Sequence, residues 1–347
     1  MRIAMISTPF IRMPPRGYGG TELFCYELSE ELTARGHDVT VYTTGDAVVS
    51  GKQRALYHRP VWPPTAADEL NHAAWAMADV ARNDFDVVHL NSALGLPLGQ
   101  FVHVPIVYTI HHKREESTSR IFATHPKPFY VAISKRQLEL ETPLARSTVI
   151  YHGLSPKRYP PSFEDAGYLL HLGRYAREKG THTAIDIACR AGLPIRLAGR
   201  VHPEDRMYFD ELVAPRIALP NVRELGEADL EQKIALLRGA RAVVCPIDWE
   251  EPFGLVAVEA MLCGTPVLAF ARGSFPEIIE ENVTGFLAEP GDADALVRAA
   301  QATVSFDRAR CAKRARERFG TATMTNAYEA VYERAIAAGP FARARVA

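Results

Sequence analysis

The apolar residues fall into short continuous runs separated by longer stretches of helical period. Residues 2–7, 39–43, 85–90, 105–110, 129–133 and 148–151 are runs of the first kind. That pattern fits strands buried on both faces of a parallel sheet. Residues 21–35 have helical period, with Leu23, Phe24, Leu28 and Leu32 on one face and Gly36 after the end. Residues 67–83 and 135–141 also read as helices, the second behind Ser134. Residues 113–120 are charged and without period, and read as a mobile segment. Residues 155–166 hold three prolines and no periodicity, which marks a domain boundary. The alternation then resumes. Strands are predicted at 168–172, 195–198, 222–224, 242–245 and 267–270. Helices are predicted at 181–191, around 204–214, and at 230–237, 253–263, 292–302, 307–319 and 323–338, with a frayed tail after Gly339. The expected fold is α/β: two Rossmann-like, doubly wound domains, 1–160 and 161–322, facing a cleft.

Composition narrows the class. Hydrophobic content is 47% and charged content 23%, ordinary for a globular chain of 347 residues. A net charge of −1 gives no reason to expect nucleic acid or an acidic membrane as a bulk partner. Cys25, Cys189, Cys245, Cys263 and Cys311 are scattered, with no spacing of a zinc site or a disulfide framework. A reducing cytoplasm is the simplest setting. No apolar run approaches the roughly 18 residues of a membrane span. The first residues read as a strand, not a signal peptide.

The richest stretch is 245–270. An apolar strand ends near Cys245, and a loop follows with Asp248, Glu250 and Glu251. Pro252 suits the first position of a helix over 253–263, and Gly264 with Pro266 suits its end. Glu251 then precedes the first turn and Glu259 lies inside the helix. The N–H groups of Phe253, Gly254 and Leu255 would form an anion site suited to phosphate. Acids also gather at helix starts for dipole reasons alone, so this unit does not decide the function by itself. Residues 173–180 place Arg174 and Lys179 on a loop after a strand, where two cations can neutralise a diphosphate. No acidic pair is left over for a metal. The loop through Gly17, Gly19 and Gly20 is long and is not a dinucleotide fingerprint, which disfavours a nicotinamide dehydrogenase. His111 stands at another strand end.

Over nearly its full length the chain resembles glycosyltransferase family 4, the retaining enzymes of GT-B fold. The motifs are Gly-Tyr-Gly-Gly-Thr-Glu at 17–22, Thr-Ile-His at 109–111 and Gly-Arg-x-x-x-Glu-Lys-Gly at 173–180. Glu-Pro-Phe-Gly-Leu-Val-Ala-Val-Glu-Ala-Met at 251–261 and Gly-Thr-Pro-Val at 264–267 complete the set. The resemblance implies a GT-B protein whose last helix crosses back, so that 323–347 joins the N-terminal, acceptor-binding domain. It implies that Arg174 and Lys179 bind the donor diphosphate, that Glu259 meets the ribose and that Glu251 contacts the donor sugar. The backbone at Phe253, Gly254 and Leu255 would meet sugar and phosphate. The loop at Gly19 and Gly20 would approach the diphosphate, and His111 would reach the reacting carbon. No metal and no cofactor are expected; the donor would be a UDP-sugar or GDP-sugar. The start of the chain is most similar to short bacterial members acting on small molecules, of pterin or antibiotic-pathway type. The family often carries His-x-His after the strand at 86–89, where this chain has His89-Leu90-Asn91.

Overall fold

The computed structural model describes residues 1–17, 19–303 and 306–339. The tail reading after Gly339 lies outside them, as does Tyr18 of the glycine loop. The chain divides into two compact units, Met1–Gly153 with the segment from Thr321 onward, and Leu154–Gly320. The division therefore falls at 153/154 and 320/321, against 160/161 read from the proline-rich stretch and 322/323 implied by the family resemblance. The linker belongs to the second unit because Arg308, a buried guanidinium, holds Ser162 O at 2.8 Å together with Ala240 O at 2.7 Å.

The first unit is built on a parallel sheet of order β3-β2-β1-β4-β5-β6-β7. Its strands are β1 (Arg2–Ile6), β2 (Asp38–Thr43), β3 (Lys52–Ala55), β4 (Val87–Leu90), β5 (Ile106–Ile110), β6 (Phe129–Ala132) and β7 (Ser147–Val149). β3, Lys-Gln-Arg-Ala, was invisible to hydrophobic patterning because it is an exposed, polar edge strand. Residues 116–124, which overlap the expected mobile segment 113–120, form a helix that buries Ser119 and Phe122. The helix Gly20–Ala34 begins one residue before the expected 21, with Gly19 as its N-cap and Gly19 O accepting from Leu23 N at 2.9 Å. The last helix, Thr321–Ala337, packs in this unit against helix Gly20–Ala34 and against β4 and β5. Its Glu329 accepts from Arg35 at 2.7 Å and pairs with His37 at 2.8 Å.

The second unit carries a parallel sheet of order β10-β9-β8-β11-β12-β13. Its strands are β8 (Tyr168–Leu172), β9 (Ile195–Ala198), β10 (Val222–Glu224), β11 (Ala240–Cys245), β12 (Val267–Phe270) and β13 (Gly285–Ala288). The stretch near 204–214 is not one regular helix, because short 3-10, α and π turns share residues 203–217.

Both sheets reverse their strand order once. The reversal lies between β1 and β4 in the first unit and between β8 and β11 in the second. Connections leave to opposite sides at such a point, opening a crevice at the carboxyl ends of the strands where ligands bind. The loop through Gly19 follows β1, and Asn91 follows β4. Arg174 follows β8, and Glu251 follows β11.

Candidate functional site

In the second unit, the loop after β11 is tied to the loop after β8. Asp248 N donates to Glu178 O at 2.8 Å. Gly180 closes the approach: its φ is 70°, and a Cβ there would lie 2.1 Å from Pro246 O. Any side chain at Gly180 would push the two loops apart. This close contact brings Lys179 to Glu251, with Nζ 2.5 Å from Oε2. Trp249 Nε1 donates to the same oxygen at 3.1 Å, and the ammonium lies 4.6 Å from the Trp249 ring centroid. Glu251 is thereby fixed by a cation and an indole N–H.

The helix after this loop runs from Leu255 to Leu262, two residues shorter at its start than the sequence suggested. Gly254 is the reason. It caps the helix at φ 89°, where a Cβ would meet the Phe275 ring at 2.4 Å. Pro252 therefore lies outside the helix, and Phe253 is buried with its carbonyl accepting from Ser274 Oγ at 2.6 Å. The N–H groups of Gly254, Leu255 and Val256 precede the first helical bond, which Ala257 N makes to Gly254 O.

Glu259 is 2% exposed on an otherwise apolar helix. An ionised carboxylate there needs a counter-charge. Lys233, on helix Leu230–Gly239, pairs with its Oε1, and Tyr159 O–H donates to the same atom at 2.8 Å. Both partners escaped the sequence reading. The one available signal was Glu259 itself, a lone acid within Leu-Val-Ala-Val-Glu-Ala-Met-Leu. Arg174 stands apart from these pairs. Its guanidinium is held by Glu178, by Glu204 at 3.2 Å and by Asp205 at 3.1 Å. Among the described residues it bonds neither Glu251 nor Glu259.

In the first unit, His111 lies just past β5, half-buried, and pairs through Nε2 with Asn91 Oδ1 at 2.8 Å. Its ring stacks on His152 at 5.6 Å and meets Phe24 edge-on at 5.0 Å. Phe24, from the helix behind Gly19 and Gly20, also touches His152, His89 and Tyr328. His89 is fully buried, bonding Tyr332 O–H and Thr109 Oγ1, each at 2.7 Å. Thr109 in turn meets Tyr328 at 2.9 Å, so the last helix braces the strand that carries His111. Burial drives the imidazoles toward the neutral form: His89 and His152 are each pushed down to about 3. His111 is lowered well below 6.5 by burial first, then by His152, His112 and His89. Glu22, buried against Thr8 Oγ1, is pushed up to about 7 by desolvation. Among the described residues no cluster of His, Cys, Asp and Glu could hold a metal ion, and no helix is long and apolar enough to cross a membrane.

Residues 18–158 match the Glycosyltransferase Family 4 model, and residues 157–318 match the Glycosyl transferases group 1 model. The glycogen synthase of Mycobacterium tuberculosis is 29% identical over 376 residues, covering 91% of this chain and 89% of that protein. The sucrose-phosphate synthase of Thermosynechococcus elongatus superposes with a TM-score of 0.80 at 22% identity, over 98% of this chain and 100% of that one. Anabaena HepE, solved with UDP and glucose, superposes with a TM-score of 0.74 at 20% identity, over 96% and 99%. The chain is thus a glycosyltransferase of family 4 type and GT-B fold, a Family 4 domain followed by a group 1 domain.

Proposed function

We propose that the protein moves a sugar from a nucleotide-diphosphate donor to a hydroxyl of a small-molecule acceptor, with retention of configuration and without a metal. The observation that carries this reading is the Lys179–Glu251 pair beside the Gly254–Val256 N–H groups at the crevice of the second unit. It sets a cation, a carboxylate and a helix start together, which suits a ligand bearing both phosphate and hydroxyls. In this reading Lys179, with Arg174, takes the diphosphate and Glu251 takes donor-sugar hydroxyls. Glu259 takes the ribose, and the backbone at Phe253, Gly254 and Leu255 meets sugar and phosphate. His111 and the loop at Gly19 and Gly20 stand at the crevice of the first unit. By analogy with the family, the acceptor oxygen bonds to the anomeric carbon on the face from which the phosphate leaves. The carbon–phosphate oxygen bond breaks, and the leaving phosphate takes the acceptor proton. The cations neutralise the charge that develops on that phosphate.

HepE's complex with UDP and glucose supports a UDP-sugar as the first donor to test. The names of the similar proteins give different products, glycogen in one and sucrose phosphate in the other. A soluble acceptor is favoured by the surface after β5. Lys113, Arg114, Glu115 and Glu116 are exposed with mixed sign, and the helix behind them turns Phe122 inward. Residues 113–116 themselves supply neither a run of basic charge nor an exposed apolar side chain of the kind a membrane-docking face uses. The test is a thermal-shift screen with UDP, GDP, ADP and dTDP, then with their sugars. A donor nucleotide at about 100 times its Kd stabilises the protein by about 2.7 kcal/mol. A flat response to all four nucleotides would sink the reading, and loss of activity with a chelator would remove its metal-free part.

A further inference from the structure

Asn91 and His111 stand at the ends of β4 and β5, which are paired neighbours. The Asn91 amide is oriented by a group that can only accept. Ile6 O lies 3.1 Å from Nδ2, with Met5 Sδ at 3.5 Å. The amide nitrogen must face that carbonyl, so Oδ1 faces His111 Nε2 at 2.8 Å. A carbonyl oxygen cannot donate, so Nε2 carries the hydrogen. A neutral imidazole has one N–H, and its other nitrogen is a lone-pair acceptor. Nδ1 of His111 has no hydrogen-bond partner among the described residues. The titratable groups acting on the ring are His152, His112 and His89, and each opposes a second proton, as burial does.

We infer that Asn91 is a positioning residue that holds His111 in its Nε2–H form, so that Nδ1 meets the substrate by accepting a hydrogen bond from an alcohol hydroxyl. The alcohol rests on the glycosyl-transfer reading above; the tautomer does not. A phosphate oxygen or a carbonyl has no hydrogen to give and is excluded as the partner of Nδ1. The hydroxyl belongs either to the donor sugar or to the acceptor.

Nitrogen-15 NMR of the full chain, labelled at histidine and assigned with His111→Ala, reads the tautomer directly. The expected spectrum at pH 7 shows His111 protonated at Nε2 and bare at Nδ1. An Nδ1–H form, or a doubly protonated ring, would overturn the proposal. Asn91→Asp keeps the shape and places a carboxylate against Nε2–H. It should raise the His111 pKa by about one to three units. Protonation of Nδ1 removes the acceptor, so turnover of the nucleotide sugar selected in the screen should fall as pH drops through that raised value. The acid limb of kcat should therefore move up with the NMR pKa, while affinity for the bare nucleotide stays put. An NMR pKa that rises while the acid limb does not move refutes the alcohol contact and leaves the tautomer standing. If the sugar increment in affinity falls on the same limb, the hydroxyl is the donor's; if transfer alone falls, it is the acceptor's. Should Asn91→Asp fail to fold, the wild-type spectrum still decides the tautomer.

Discussion

The crevice of the second unit is lined with paired charge, and that of the first unit with neutral rings. Glu251 and Glu259 each keep a lysine, Lys179 and Lys233 respectively. His111, His152 and His89 gather around Phe24 with no carboxylate among the groups that shift His111. The difference follows from how each unit meets the cost of burial. An ion leaving water needs a partner of opposite sign; without one the group gives up its charge instead. The second unit took the first route, pairing each carboxylate with a lysine. The first took the second route, which leaves imidazoles neutral and Glu22 with a pKa near 7.

The largest effect should come from opening the tighter ion pair. Lys233→Met leaves a carboxylate that is 2% exposed with Tyr159 as its remaining named partner, and should cost about 3 kcal/mol of stability by chemical denaturation. Lys179→Met opens a pair whose side chains are 26% and 13% exposed, and should cost about 1 kcal/mol or less. Equal losses would mean that burial does not distinguish the two carboxylates.

Next comes a pair of substitutions that should act on different constants. His111→Ala should lower turnover roughly a hundredfold, about 2.7 kcal/mol, with little change in nucleotide affinity. Glu259→Ala should weaken nucleotide binding by about 2 kcal/mol in calorimetry, because a charged acceptor for the ribose is lost. Unchanged nucleotide affinity in Glu259→Ala would reject its ribose role, and wild-type turnover in His111→Ala would remove that residue from the site.

The smallest effect is a pH dependence confined to the neutral crevice. Glu22 has a folded pKa of about 7 against an ordinary 4.5, so the folded state holds its proton more tightly. Its contribution to stability is lost as pH rises from about 4.5 to about 7. His89 and His152 have folded values near 3 against 6.5, so their contribution is lost as pH falls below about 6.5. Two histidines outweigh one glutamate below that point, so stability governed by these groups should peak near pH 7. Between pH 6 and pH 8 Glu22 subtracts about 1 kcal/mol, so Glu22→Gln should gain about 1 kcal/mol more than the wild type across that range in melts. A Glu22→Gln protein whose melts follow pH just as the wild type's do would remove Glu22 from this pH dependence.

Hydrophobic period alone separated two α/β halves, located most strands and helices, and put Glu251, Glu259, Arg174, Lys179 and His111 at strand ends or on the helix behind one. Those features are local: each depends on residues within one strand, loop or helix, and on spacing that the chain itself carries. What the sequence could not supply was every relation set by sheet order and by packing across elements. Gly254 moved a helix start by two residues because Phe275, 21 positions on, fills the space a Cβ would need. Polar β3 escaped notice because an edge strand need not be apolar. Arg174 read as a cation for phosphate, yet its charge is shared among three carboxylates, two of them from the turn after β9. Lys233 and Tyr159 reach Glu259 from 26 and 100 positions away, and Asn91 reaches His111 across a strand pair. The chain's own spacing determined that two acids and two cations are present. Tertiary structure decided which charges are paired and which rings stay neutral, because counter-charge and burial depend on neighbours in space.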